Sequence, residues 1–372
     1  MDMDAKLRQK LKSLAHRKVF PMLYKKYCKK TEQVDPGLVL FADAHSDGLP
    51  DSMQLMRDEV LRAGYRVEEH CLDFGKATLV QTAKAIIRFL KSYAGAGTVF
   101  LCSYYLPASS VEKRGETRLI QLWHAAGVLK KFGFDAEEDI PADFEGNPTA
   151  GYDLVTVSSP VCVPFYEQAL RLGEGVCQAL GVSRTDRWYE PGFLPQCREK
   201  LLETHPGVEG KRLALWAPTF RGNAAVGETA GLGQMAQLDL GEDWMLLTKL
   251  HPNARETGGL FQPRLATEEL FASAEVLITD YSTVLFEFAL LGKPIVLFLP
   301  DGEAYQQGRG LYIPLEDIPA QVVTDIADLP EAVHRAAERF DAIRNQIFVE
   351  KYMSACDGEA TQRILDAVFG ER

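Results

Sequence analysis

The stretch Met-Leu-Leu-Thr-Lys-Leu-His-Pro-Asn (245–253), followed by Val-Leu-Ile-Thr-Asp-Tyr-Ser-Thr-Val-Leu-Phe-Glu-Phe-Ala-Leu-Leu-Gly-Lys-Pro-Ile-Val-Leu-Phe (276–298), decides the fold class. Its apolar runs at 245–248, 276–278 and 295–298 read as strands buried on both faces of a parallel sheet. Such sheets bind ligands beyond the carboxyl ends of their strands. His251 and the residues Asp280 to Thr283 stand at those ends, so the stretch reads as one half of an active site.

Between two of these strands the sequence predicts a short polar turn and a helix over about 283–291, closed by Gly292 as a helix-ending glycine. The first N–H groups of a helix are unpaired and partly positive, and the hydroxyls of Ser282 and Thr283 stand beside them, a combination suited to phosphate. The competing reading is plain N-capping, with Asp280 orienting the turn. His251 tilts the balance: a His before Pro leaves its strand extended, which holds the imidazole at the sheet edge. His205-Pro206 is the internal control, lying in a polar loop with no strand before it, and receives no role.

A further piece lies earlier. Thr-Arg-Leu-Ile-Gln-Leu-Trp (117–123) reads as a strand ending at His124, followed by Ala125-Ala126-Gly127 and by Lys130 and Lys131. Small residues allow close approach of backbone to a ligand, and a histidine there can serve as a general base beside cations that attract phosphate. The alternative is a structural histidine with a solvated lysine pair.

At this point a family resemblance appears. The Trp-His-small-Gly-x-Leu-Lys-Lys stretch, Ser-Arg-Thr-Asp (183–186), Trp-Ala-Pro-Thr-Phe-Arg (216–221), Lys-Leu-His-Pro, Ile-Thr-Asp-Tyr-Ser-Thr-Val and Arg-Gly-Leu-Tyr (309–312) occur in one order. Together they resemble the CDP-glycerol glycerophosphotransferase family of teichoic acid primases and polymerases, over about residues 38–345. The resemblance implies an α/β architecture of the GT-B type, with an active site between two Rossmann-like halves. Independently, strand-like runs at 38–41, 99–102, 119–123 and 154–157 alternate with helical patterns, and a second series starts at 213–216, as two α/β domains require. The expected division is a basic amphipathic helix over 1–30, an acceptor-side domain over 31–185 and a CDP-alditol-binding domain over 186–372, with the final helix, after Leu329, crossing back.

The reaction implied by the resemblance moves glycerol phosphate from CDP-glycerol to a hydroxyl of a lipid-linked glycan or polyol-phosphate acceptor and releases CMP. By the same match His124 is the base. His251, Ser282, Thr283 and Arg309 hold the pyrophosphate. Arg184 and Thr219 contact the donor, and Glu287 reaches a ribose or glycerol hydroxyl, although a glutamate one turn into a helix also suits the macrodipole. Gly127, Lys130, Lys249, Asp280 and Gly310 complete the substrate-binding set. Where many members carry Gly-Thr after the motif histidine this chain has Ala125-Ala126, which leaves CDP-ribitol as an alternative donor. A GT-B glycosyltransferase using a sugar nucleotide and a non-catalytic nucleotide-binding scaffold are the remaining readings.

Neither cofactor nor metal is expected. Asp2-Met3-Asp4 is the lone Asp-x-Asp, 135–139 reads as a solvated acidic surface, and the seven cysteines form no Cys-x-x-Cys pair. Free thiols point to a reducing cytoplasm. The first thirty residues carry ten lysines and arginines against two aspartates, so in a chain of net charge −11 the rest carries −19. Leu7, Leu11, Leu14, Phe20, Leu23, Tyr24 and Tyr27 recur among those cations at helical spacing, the pattern of a helix lying on an anionic membrane surface. A nucleic-acid arm is disfavoured by the acidic body, and a core-packing helix is the plainer alternative. No stretch is long and apolar enough to span a bilayer, so the expectation is a peripheral protein on the cytoplasmic face of the membrane. Of the other histidines, His45, with Asp47, follows the first strand at a position able to meet an acceptor.

Overall fold

Valine, leucine, isoleucine and phenylalanine runs of four to six residues, bounded by glycine, proline and aspartate, generate the strands of the molecule. The computed structural model describes residues 13–142, 144–221, 228–250, 258–302 and 308–370. The chain divides into two compact units. One holds the described residues up to His124, Phe132–Asp186 and the stretch from Ala355 onward; the other holds Ala125–Lys131 and Arg187–Ser354.

The first unit contains six parallel strands: β1 (Asp35–Asp43), β2 (Arg66–Cys71), β3 (Ala96–Leu101), β4 (Arg118–Gln121), β5 (Leu154–Thr156) and β6 (Cys177–Gln178), in the order β2-β1-β3-β4-β5-β6. Every residue of β3 is buried, as a central strand covered on both faces requires. The strands missing from the apolar-run reading are edges: β2 is Arg-Val-Glu-Glu-His-Cys and half exposed, and β6 pairs over two residues. Helices α1 (Phe20–Cys28), α2 (Asp51–Arg62), α3 (Leu79–Tyr93) and α4 (Val163–Leu170) belong to this unit. On the core side Val39, Phe41 and Phe100 meet Met53, Met56 and Val60 of α2.

Helix α1 corrects part of the sequence reading. Tyr24, grouped above with the surface-lying residues, is buried against Tyr93 with ring centroids 5.1 Å apart, and its hydroxyl accepts from the Arg114 N–H. The apolar side chains exposed near this helix are Leu14, Val19 and Met22. Leu7 and Leu11 lie outside the described residues.

The second unit has five parallel strands: β7 (Arg212–Trp216), β10 (Trp244–Thr248), β11 (Val276–Thr279), β12 (Ile295–Phe298) and β13 (Ala320–Val323), ordered β10-β7-β11-β12-β13. A two-stranded antiparallel ribbon, β8 (Phe220–Arg221) and β9 (Glu228–Thr229), precedes β10 in the chain. Its longer helices are α5 (Phe193–Thr204), α6 (Thr267–Ser273), α7 (Val284–Leu290), α8 (Leu329–Glu338) and α9 (Ala342–Tyr352). Trp216, Ile278, Val296, Phe298 and Val333 share one core cluster.

The sequence after Leu329 is thus not one helix but three. The last, α10 (Ala360–Phe369), is a member of the first unit and buries Ile364 and Val368 among its core residues. The Ser-Arg-Thr-Asp segment fastens it there. The Asp186 carboxylate accepts the N–H groups of Ala360 (3.2 Å) and Thr361 (2.7 Å), and the Ser183 and Thr361 hydroxyls lie 2.9 Å apart. A carboxylate placed at unpaired helical N–H groups caps the helix and complements its dipole.

Candidate active site

In the first unit the strand order reverses between β1 and β3, so the crevice expected to bind ligand opens beyond their carboxyl ends. Asp43 ends β1, is buried, and accepts the Ser103 hydroxyl and the His45 N–H (2.9 Å). The Asp47 carboxylate accepts the Asp73 N–H (3.1 Å), which braces the loop carrying the exposed His45. Beside β3, β4 stops at Gln121, two residues earlier than its apolar run suggested, because the chain turns sharply at Trp123.

That turn places His124. Trp123 has φ 59°, in the left-handed region where a bulky side chain costs on the order of 1–3 kcal/mol and persists only if its surroundings hold it. Gln121 does so. Fully buried, it accepts the Trp123 N–H through Oε1 at 3.0 Å and donates through Nε2 to the Ser103 carbonyl and the Tyr152 hydroxyl, each at 3.0 Å. The His124 ring stacks on Trp123 at 4.8 Å and its Nδ1 lies 2.8 Å from the Cys102 carbonyl oxygen. A carbonyl only accepts, so Nδ1 carries the proton and Nε2 is the basic nitrogen of the neutral ring. Arg184, buried, donates to the His124 carbonyl at 3.0 Å. The structure therefore gives Arg184 a place behind the motif histidine.

The second unit repeats the switch between β7 and β11. Thr279 donates its hydroxyl to the Ala217 carbonyl (2.6 Å), and buried Asp280 accepts the Thr219 N–H (2.7 Å), tying the two strand ends together. Ser282 and Thr283 follow, half-buried, at the start of α7. Among the described residues the capping contact here is weak: Ser282 Oγ lies 3.5 Å from the Val284 N–H, at the limit of a hydrogen bond, and Thr283 makes no side-chain cap bond. Glu287 lies buried on α7.

The segment Ala125–Lys131 packs in the same unit. Gly127 has φ 64°, and a Cβ there would lie 2.4 Å from the Phe286 ring, so the close packing on α7 leaves no room for a side chain at this position. Lys130 bridges antiparallel to Leu311, the Tyr312 N–H donates to the Leu129 carbonyl (2.8 Å), and the Lys131 N–H donates to the Gly310 carbonyl (3.1 Å). Arg309 Nε donates to the Lys131 carbonyl at 3.0 Å. Gly127, Lys130, Arg309 and Gly310, far apart in sequence, thus share one neighbourhood. Lys249 instead points its ammonium at the Leu265 carbonyl, 2.7 Å away. His251 lies outside the described residues.

No cluster of three or more metal-ligating side chains occurs among the described residues. Burial pushes the Cys162 and Cys197 thiols up to about 11 and the Cys71 and Cys177 thiols to about 12, so none of these four is a ready nucleophile. The residues that sequence reasoning passed over are Gln121 and Trp123; a polar side chain inside an otherwise apolar strand was the available signal for the first.

Known proteins place this geometry. The family described as CDP-Glycerol:Poly(glycerophosphate) glycerophosphotransferase matches residues 24–370. A teichoic acid ribitol-phosphate primase from Bacillus spizizenii is 30% identical over 73% of this chain and 74% of its own. A teichoic acid glycerol-phosphate primase from Bacillus subtilis is 29% identical over 72% and 71%. Among solved structures, the wall teichoic acid polymerase TagF superposes with a TM-score of 0.74 at 19% identity, covering 97% of each chain. UDP-GlcNAc 2-epimerase from Neisseria meningitidis follows more distantly, with a TM-score of 0.52 at 12% identity over 90% of this chain and 99% of that one. These structural likenesses speak to the fold.

Proposed function

This chain belongs to the CDP-glycerol:poly(glycerophosphate) glycerophosphotransferase family, and from that premise we propose that it moves glycerol phosphate from CDP-glycerol to a hydroxyl of a lipid-linked or polymer acceptor in the synthesis of a teichoic-acid-like or capsule polymer. Membership makes it a transferase. In the proposed reaction the acceptor oxygen attacks the glycerol-bearing phosphorus, its proton passes to Nε2 of His124, the bond from that phosphorus to the CMP oxygen breaks, and a phosphodiester remains. A base activates the alcohol, and positioning with electrostatic stabilisation supplies the rest of the acceleration. Ser282, Thr283, Arg309 and His251 are assigned to the pyrophosphate. Thr219 and Lys130 are assigned to the donor, and Glu287 to a ribose or glycerol hydroxyl.

The observation that carries this reading is the Nδ1–H···O bond from His124 to Cys102, which leaves Nε2 as the proton acceptor. The test is CMP release from CDP-glycerol by the purified protein with a membrane lipid fraction, beside His124→Ala. Release that the substitution abolishes supports the assignment. A folded protein that releases nothing directs attention to a sugar nucleotide or to a scaffold role. CDP-ribitol is the second donor to try, since a ribitol-phosphate primase is as similar to this chain as the glycerol-phosphate enzymes are.

We also propose peripheral attachment to an anionic membrane on its cytoplasmic face. Exposed Leu14, Val19 and Met22 stand among exposed Arg17, Lys18, Lys25, Lys26, Lys29 and Lys30, as expected of a helix at a lipid interface. No described helix is long and apolar enough to cross a membrane. Sedimentation with anionic but not neutral vesicles is the expected outcome, and equal partition to both would overturn it.

A further inference from the structure

We propose that Gln121 is a positioning residue for the reacting histidine: by holding Trp123 in its left-handed conformation it fixes the tautomer and direction of His124. The inference rests on the assignment of His124 as base.

Six contacts on the first unit define the arrangement. Gln121 is fully buried and hydrogen-bonded within the unit, at 3.0 Å to the Trp123 N–H, the Ser103 carbonyl and the Tyr152 hydroxyl. Trp123 is one of two non-glycine described residues with positive φ. The His124 ring stacks on Trp123 and donates from Nδ1 to the Cys102 carbonyl. Arg184 holds the His124 carbonyl from behind.

A tryptophan released from the Gln121 acceptor has an extended conformation open to it, which is the favoured region for a bulky residue. Because side chains of successive extended residues point to opposite faces, the relaxation redirects the next residue along with Trp123. His124 then loses Cys102, and with it the bond that keeps the proton on Nδ1. Gln121 touches neither donor nor acceptor in this scheme; it acts through the peptide on which the base is mounted. The Ser103 carbonyl and the Tyr152 hydroxyl keep the amide from rotating, so the acceptor oxygen stays aimed at Trp123.

The experiment compares Gln121→Met, which removes the acceptor and both donors at similar volume, with Gln121→Glu, which retains the acceptor. Two quantities are read on full-length protein of each: the tautomer of His124 from its isotope-labelled imidazole nitrogens, assigned with His124→Gln, and the kcat and KM for CMP release. The expected result is that Gln121→Met loses the Nδ1–H signature and lowers kcat by about a hundredfold with KM for the donor unchanged, as misplacement of a catalytic group does. Gln121→Glu falls between it and the wild type in both readouts. An unchanged tautomer in Gln121→Met overturns the inference whatever the turnover, and so does a fall in kcat without a change in tautomer. If Gln121→Met does not fold, the Gln121→Glu spectrum decides alone: a wild-type ring state with lowered kcat is the overturning result. A shifted tautomer in a protein whose turnover is indifferent to His124→Ala would instead sink the assignment of the base and leave the positioning intact.

Discussion

The two units lay their strands in the same order about their first strand, yet the crevices at their switch points are furnished differently. In the first unit the chain bends unfavourably to aim the exposed His124 imidazole: Trp123 occupies the left-handed region, and Gln121, Cys102 and Arg184 surround the result. In the second unit no described non-glycine residue has positive φ, and the polar groups at the strand ends are short. Asp280 is spent on the Thr219 N–H, and the hydroxyls of Ser282 and Thr283 sit at the amino end of α7. A proton must be taken along one direction, so its acceptor needs a stiff mount. A phosphate presents oxygens on several sides and is satisfied by an array of donors. With the roles proposed above, the same scaffold carries a directional half and a distributed half.

The sharpest way to break that comparison is His124→Ala. Loss of a general base predicts a drop of roughly 10²- to 10⁴-fold in CMP release, with the thermal midpoint unchanged because the side chain is exposed. Retained turnover would remove the directional half altogether. Next in size is Gly127→Ala. The added methyl group meets the Phe286 ring at a left-handed backbone position, so unfolding in denaturant should show a loss of about 1–3 kcal/mol. Phe286→Leu in the same chain should recover part of it, and no recovery would mean that the backbone alone is at fault. Smaller is the effect of Ser282→Ala and of Thr283→Ala. If donors are distributed, each change should raise KM for the CDP-alditol by roughly tenfold or less, about 1 kcal/mol per lost hydrogen bond, and leave kcat nearly alone. A collapse of kcat in either variant would show that the second unit is directional too.

Smallest at neutral pH is the expectation for Lys293. Its ammonium donates to the Phe271, Ala272 and Ala274 carbonyls at the end of α6, and burial pushes it down from 10.5 to about 8. The unfolded chain holds this proton to higher pH than the folded one does, so the unfolded state binds more protons across the window from about 8 to 10.5. Stability from this group therefore rises with pH over that window and is lost as pH falls through about 8. Denaturation of Lys293→Met and wild type at pH about 7 and about 9 isolates the effect as a difference that grows in favour of the wild type. A constant difference would place the lysine outside that linkage.

What the sequence disclosed follows from range. Strands β3, β7, β11 and β12 announce themselves through local apolar runs, and so do the positions of His124 and Asp280 at strand ends. Edge strands β2 and β13 mix charges or amides with valines because one side faces water, and a run-based reading passes them by. Tyr24 was assigned to the surface on helical spacing among cations, and its burial depends on Tyr93, much later in the chain. The role of Gln121 was hidden for the same reason, although its place in an apolar strand marked it as unusual. Its partners Ser103 and Tyr152 lie 18 and 31 residues away, and Arg184 meets His124 across 60. A sequence shows which residues are able to do chemistry more readily than which ones hold them still.

Helix α10 carries a consequence for synthesis. The unit that begins the chain keeps Ile364 and Val368 in its core and stacks Phe369 on Tyr65, with Asp186 waiting to cap the helix that brings them. A nascent chain therefore presents Val39, Phe41 and Phe100 with one flank uncovered while nearly 170 residues of the other unit are made, from Arg187 to Ser354. The half that leaves the ribosome first is the half that closes last, and in the interval its open flank is a natural client for a chaperone.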